Sequence, residues 1–201
     1  MGAILILSGP SGSGKSTLCS AISQQIPNIY FSISSTTRKP RDGEIDGREY
    51  YFLTQEEFLR DVEENKFLEW AQVHTNYYGT SLIPVEKALS EGKIVVFDVD
   101  VQGHYSIKKH YGSLATSVFI TTPTKQVLAQ RLKNRKTDNQ DIIDLRLMHA
   151  YNEMQHIDEF DYLIINDDIE EAKASILSIA QSLKCKQTSS KTQKILKEWI
   201  E

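Results

Sequence analysis

The run Ile4-Leu5-Ile6-Leu7-Ser8 leads without a break into Gly9-Pro10-Ser11-Gly12-Ser13-Gly14-Lys15-Ser16-Thr17. The spacing fits G-x-x-x-x-G-K-[ST], set between an apolar run that reads as a buried strand and a helical segment starting near Lys15. A chain that starts this way is committed to a strand, loop and helix unit. The glycines let the backbone curl so that N–H groups point inward, and the following helix begins with unpaired N–H groups and a partial positive charge. Phosphate oxygens are the natural guests. Lys15 adds a mobile charge that can follow a β- or γ-phosphate, and the Ser16 hydroxyl suits the coordination shell of a Mg²⁺ bridging those phosphates. The loop specifies a nucleoside triphosphate and leaves the reaction undefined.

The 201 residues, 40% hydrophobic and 25% charged, are enough for one substantial core with appended segments. A formal charge of −4 argues against a general affinity for nucleic acid, while leaving room for a local basic pocket. Cys19 and Cys185 lie far apart and outside any metal-ligand spacing, so both read as free thiols in a reducing compartment, with Cys19 packed on the first helix. The apolar start, Gly2 to Leu7, is too short to span a membrane and lacks a basic leader. Met1-Gly2 is followed by Ile6 where a myristoylation motif wants Ser or Thr, so the expectation is a cytoplasmic protein without membrane attachment.

Strand and helix alternate along the chain. The first helix is expected over Lys15 to Gln25, followed by a strand at Ile29 to Ile33 and a polar, Arg- and Gly-rich segment from Ser34 to Arg48. Short aromatic strands are expected at Glu49 to Leu53, a helix opened by a Thr54/Glu57 capping box, and a strand-like stretch at Phe67 to His74. Ile94 to Phe97 ending in Asp98, Ser117 to Ile120, and Tyr162 to Ile165 read as buried strands, each followed by a turn and a helical pattern. This order implies a parallel sheet covered by helices, with Ser8-Gly9, Asp98 and Asn166-Asp167 emerging at the carboxyl edge where ligands sit. Asp98 and Asp100 would project to one side in extended structure, with Asp98 placed to hold the water shell of Mg²⁺. The last residues, from Lys186 to Glu201, read as a polar tail ending in a short amphipathic helix. Its apolar face is open to packing on this domain, docking on a sister subunit or staying loose, with packing expected and a homo-oligomer left open.

Arg38 and Arg41 offer planar forks of donors for phosphate oxygens, and the hydroxyls of Tyr50 and Tyr78 add neutral donors, a set that suits a monophosphate. Ser34 to Arg41, Gly43-Glu44, Gly47 to Phe52, Glu69-Trp70-Ala71 and Tyr77-Tyr78-Gly79-Thr80 together resemble the nucleotide-monophosphate region of guanylate kinases. With the phosphate loop, Asp98 to Gly103 and Asn166-Asp167-Asp168, the resemblance runs in order from about Ala3 to Leu183. It implies that Ser34, Glu69, Thr80 and Asp100 read guanine, and that Arg38, Arg41, Glu44, Tyr50, Tyr78 and Gly79 complete the GMP site. ATP would lie on Gly9 to Thr17 with Asn166 and Asp167.

Gln130-Arg131-Leu132-Lys133-Asn134-Arg135-Lys136, followed by Arg146 beyond a polar turn, is lid-like. The resemblance makes Arg131, Arg135 and Arg146, with Lys15 and Arg38, the catalytic cations. Lys136 departs from the family, which usually has Gly there, so the turn should lose freedom. The implied fold is α/β: a parallel-sheet phosphate-loop kinase core with helices on both faces, a small mixed α/β GMP-binding subdomain and a helical lid. The expected division is a domain over 1–185, with core 1–33, 82–125 and 147–185, subdomain 34–81 and lid 126–146, then the tail 186–201. The implied activity is transfer of the ATP γ-phosphoryl to GMP and dGMP, with Mg²⁺. Its rivals are a catalytically inactive phosphopeptide-binding module, disfavoured because loop and lid residues are retained, and a kinase for a ribose phosphate, disfavoured by Glu69 with Ser34 and Thr80.

Overall fold

The computed structural model describes residues 2–134, 139–186 and 189–200. Its centre is a five-stranded, wholly parallel sheet in which β1 (Ala3–Ser8) lies in the middle. On one side β1 pairs with β7 (Ile94–Asp98), which pairs with β2 (Ile29–Phe31); on the other it pairs with β8 (Ala115–Thr121), followed by β9 (Tyr162–Ile165). All six residues of β1 are buried, as a strand sealed on both faces requires.

Alternation along β1 assigns its side chains to two cores. Leu5 and Leu7 face α1 (Lys15–Gln25) and α7 (Ile169–Ser182) through Leu18, Ile22, Ala172 and Ile176. Ile4 and Ile6 face α3 (Leu82–Ser90) and α4 (Val101–Tyr111) through Val85, Leu89 and Ile107. The sheet is thus covered on both sides, as the alternating sequence pattern implied. α5 (Lys125–Asn134) and α6 (Gln140–Met154) form a smaller apolar contact through Leu128, Leu132, Ile143 and Ala150.

A second, mixed sheet has the order β4 (Tyr51–Phe52), β3 (Ser35–Thr36), β6 (Asn76–Ser81), β5 (Phe67–Val73). β3 runs parallel to β4 and antiparallel to β6, and β6 is antiparallel to β5. α2 (Gln55–Glu63) opens with the expected capping box: Glu57 N–H donates to Thr54 Oγ1 at 3.1 Å, and Thr54 N–H donates to the Glu57 carboxylate at 2.8 Å. The aromatic segment here stacks Phe58 between Phe67 and Tyr77.

The expected elements hold to within a few residues, but β3 lies in a stretch that reads as a polar segment and β6 is not among the expected strands, because both depend on pairing within the mixed sheet; the end of the chain also differs. α8 (Ser189–Ile200) starts earlier than the apolar pattern suggested, and its apolar face does not pack on this domain: Ile195 and Leu196 are exposed and Trp199 is 84% exposed. Both cysteines are free, Cys19 resting partly against the core. Among the described residues no helix is long and apolar enough to cross a membrane.

Candidate active site

The loop between β1 and α1 runs directly into the helix N-terminus. Gly14 is the N-cap of α1 at φ 100°, no side chain caps the helix, and no acidic residue lies in its first turn. The helix end therefore keeps its donors and partial charge for an external anion. A Cβ on Gly14 would overlap the amide nitrogen of Asn166, and one on Gly9 would overlap the Ile120 carbonyl. The glycines are needed for close approach as well as for the turn.

Asn166 lies buried beneath the loop, where its Nδ2 donates to the Ser13 carbonyl at 2.7 Å. Arg131 Nη2 donates in turn to the Asn166 carbonyl at 2.8 Å, tying α5 to the same support. Arg146 Nη1 reaches the Ser11 hydroxyl at 2.9 Å from α6. Lys15 Nζ is folded onto its own loop, donating to the carbonyls of Gly9 at 2.5 Å and Pro10 at 3.5 Å. Pro10 also accepts the Ser13 N–H, and Thr17 lies exposed on the first turn of α1. Asp167 is exposed at the turn beyond β9.

Gly9, Ser11, Gly12, Gly14, Lys15, Ser16, Asp98, Asp100 and Glu153 line a cavity of about 440 Å³. Asp98 ends β7 there; desolvation holds its carboxyl above the usual range, opposed by Lys15. Asp100 does not continue the strand. It is the N-cap of α4, its Oδ1 accepting the Gly103 N–H at 2.8 Å, yet it faces the same cavity. No cluster of three or more His, Cys, Asp or Glu side chains among the described residues could hold a metal by itself. The Ser16 hydroxyl and Asp98 carboxylate are nevertheless the oxygen donors that suit Mg²⁺, whose remaining ligands in such sites are phosphate and water. The residues fit the ion.

A second cavity of about 450 Å³ is lined by Ser34, Glu69, Trp70, Ala71, Tyr78, Gly79, Thr80, Val99, Asp100 and Gln102. It meets the first at Val99 and Asp100. Glu69 comes from β5 and Thr80 from its antiparallel partner β6, directly across the register, with Thr80 Oγ1 donating to Glu69 Oε1 at 3.4 Å. Burial raises the Glu69 carboxyl pKa, Asp100 adds to the shift and Thr80 opposes it.

Beside this pocket, Glu44 holds the arginine segment in place. Its Oε1 accepts from Arg38 Nη2 at 2.8 Å and its Oε2 accepts the backbone N–H of Arg41 at 2.7 Å. The Arg38 hydrogen bond, followed by that of Arg41, keeps the Glu44 carboxyl below its ordinary range. The Arg38 guanidinium lies over the Tyr50 ring at 5.4 Å, and Tyr50 meets Tyr78 edge-on at 6.1 Å. The Arg41 side chain is exposed.

The two cavities and their margin thus gather most of the sequence-derived set. Arg135 and Lys136 lie outside the described residues. Sequence reasoning passed over Gln102, Val99 and Glu153 as cavity-lining groups. Glu153 lies in an ordinary helical stretch without a motif, and only its spacing of seven from Arg146 places it on the face that looks at the loop.

The family model for guanylate kinase matches residues 1–183. A guanylate kinase of Helicobacter hepaticus is 58% identical over 198 residues, covering 98% of each chain. One from Helicobacter pylori strain 26695 is 56% identical over 196 residues, covering 98% of this chain and 95% of its own. The crystal structure of guanylate kinase from Anaplasma phagocytophilum superposes with a TM-score of 0.66 at 32% identity, over 92% of this chain and 88% of that one. Matched from its first residues through α7 and more than half identical to relatives along nearly all its length, the chain belongs to the guanylate kinase family.

Proposed function

We propose that this protein transfers the γ-phosphoryl group of ATP to GMP, giving ADP and GDP. The observation that carries the reading is the junction of two cavities at Val99 and Asp100, one built on a phosphate loop and the other on Glu69 and Thr80. Relatives named guanylate kinase at 56–58% identity support it.

Guanine presents N1–H and its exocyclic amine side by side, so the Glu69 carboxylate can accept both. Adenine would set an unprotonated N1 against that carboxylate and leave buried polar groups unpaired, a mismatch that can discriminate by about 10⁴ or more. Arg38, with Arg41, Tyr50 and Tyr78, takes the monophosphate, and Glu44 aims Arg38. Lys15 and the loop N–H groups take the β- and γ-phosphates. An oxygen of the GMP phosphate attacks the γ-phosphorus as the bond to the β,γ-bridging oxygen breaks. The nucleophile is already anionic, so the site must align two polyanions and offset their repulsion rather than supply a strong base. Arg131, Arg146 and Arg135 supply positive charge from the 126–146 lid, which closes with the 34–81 subdomain to exclude water. Mg²⁺, held by Ser16 and through water by Asp98, would neutralise charge on the β- and γ-phosphates. The protein works as a cytoplasmic enzyme on these small molecules.

Glu69→Gln tests the base assignment. Calorimetric titration should show GMP affinity falling by at least about tenfold, the loss of a charged hydrogen-bond acceptor, with ATP affinity within twofold of the wild type. Equal losses for both nucleotides would remove Glu69 from the guanine pocket.

A further inference from the structure

The phosphate cavity contains a carboxylate that the scheme above does not use. Glu153, near the end of α6, lines it together with Lys15, Ser16 and Asp98. Its Oε2 is buried without a hydrogen-bond partner, although buried carboxylate oxygens are normally paired. Of the basic groups that act on it, Lys15 Nζ already donates to the Gly9 and Pro10 carbonyls, and His149 on the same helix adds a weaker attraction. Burial pushes the Glu153 carboxyl above its usual range, Lys15 pulls it back, Asp100 pushes it up again and His149 lowers it slightly.

Acidic groups share this cavity with the phosphate-binding donors. One Lys15 ammonium faces the carboxylates of Asp98, Asp100 and Glu153, and Asp100 is partly engaged as the cap of α4. A divalent cation accompanying the polyanion would offset the repulsion that these carboxylates set against the attraction of Lys15, Arg146 and the α1 N-terminus. The carboxylates do not converge closely enough to ligate one metal together. An outer carboxylate in such a place acts through metal-bound water, as partners beyond the direct ligands commonly do.

We infer that Glu153 is a positioning residue of the metal–triphosphate cavity, its unpaired oxygen accepting hydrogen bonds from the hydration shell of the cation that accompanies ATP. Arg146, Ala150 and Glu153 form one face of α6 at spacings of four and three, with Ala150 buried against α5. The helix that brings Arg146 to Ser11 therefore also brings Glu153 to the cavity where the hydrated cation would sit. This assignment rests on the kinase reading for its triphosphate and metal.

The test is a Mn²⁺ titration, followed by electron paramagnetic resonance, of protein bound to a non-hydrolysable ATP analogue, with analogue affinity also measured in EDTA. Glu153→Gln keeps the shape and removes the charge. It should weaken Mn²⁺ binding by about tenfold, while analogue affinity in EDTA is unchanged or tighter because a repelling charge is gone. Glu153→Asp, which keeps the charge, should recover part of the metal affinity. Mn²⁺ affinity within twofold of the wild type in both variants would overturn the assignment. So would a loss of analogue affinity equal with and without metal, which is what a packing role produces. The titration contains neither GMP nor turnover, so a wild-type protein that fails to phosphorylate GMP overturns the kinase reading without deciding this one.

Discussion

At the scale of single residues, the functional groups that could be read from the sequence are those whose chemistry is tied to a local pattern. Lys15 and Ser16 follow from the glycine spacing, and Glu69 and Thr80 from the order of a longer constellation. Groups defined only by what surrounds them could not be read in this way. His104 is the plainest case: it is 1% exposed on α4, stacked on Phe160 at 4.0 Å, with both ring nitrogens buried and without hydrogen-bond partners. Burial, then Lys108, hold its pKa down at about 4 from an ordinary 6.5, with Asp161 opposing. Between those values the unfolded chain binds the proton and the folded chain does not. This contribution to stability is complete above pH 6.5 and is lost as the pH falls towards 4. Replacing the ring with a neutral one, His104→Phe, should flatten the acid limb of the stability curve by ~1–3 kcal/mol relative to wild type, as read by denaturant unfolding at pH 4.5 and 7.5. Parallel curves for the two proteins would contradict this.

At the scale of elements, local rules carried most of the prediction, and contacts distant in sequence made up the rest. The capping box of α2 and the span of α1 were legible because they depend on residues within one turn. The support beneath the phosphate loop was not, because Asn166 reaches Ser13 across 153 positions of chain. Asn166 and Glu44 both occur among the resemblance-derived site residues, but each holds another group in place here: Asn166 braces the loop and Glu44 orients Arg38. From the second of these, Glu44→Gln should raise KM for GMP several-fold while KM for ATP stays near the wild-type value, as checked by steady-state kinetics with each substrate varied. A rise in the ATP value alone would place Glu44 elsewhere. The exposed apolar face of α8 marks the limit of periodicity: it predicts a helix with an apolar stripe, but cannot say what that stripe touches.

At the scale of the whole molecule, the strand and helix order was enough for a parallel sheet covered on both faces, and β1 is where that architecture has least tolerance. Leu5 is fully buried between α1 and α7 on a strand paired on both sides. Leu5→Ala should cost about 2–5 kcal/mol in chemical unfolding, with room for little relaxation around the cavity it leaves. A cost below ~1 kcal/mol would mean that the core is looser than this packing implies. The same sheet delivers Gly9, Asp98 and Asn166 to one edge from three strands, so fold and site share their support. What no local pattern announced was the meeting of two cavities at Val99 and Asp100, since it depends on how the mixed sheet is set against the parallel one.

That junction is most directly tested by ADP production from ATP and Mg²⁺ with purified protein across GMP, dGMP, AMP, CMP, UMP and ribose phosphates, using Lys15→Ala as the blank. Turnover confined to the guanine monophosphates, and abolished in the Lys15 variant, is the expected result. Measurable GMP binding with no turnover on any acceptor would contradict it, as would AMP or a ribose phosphate serving as well as GMP.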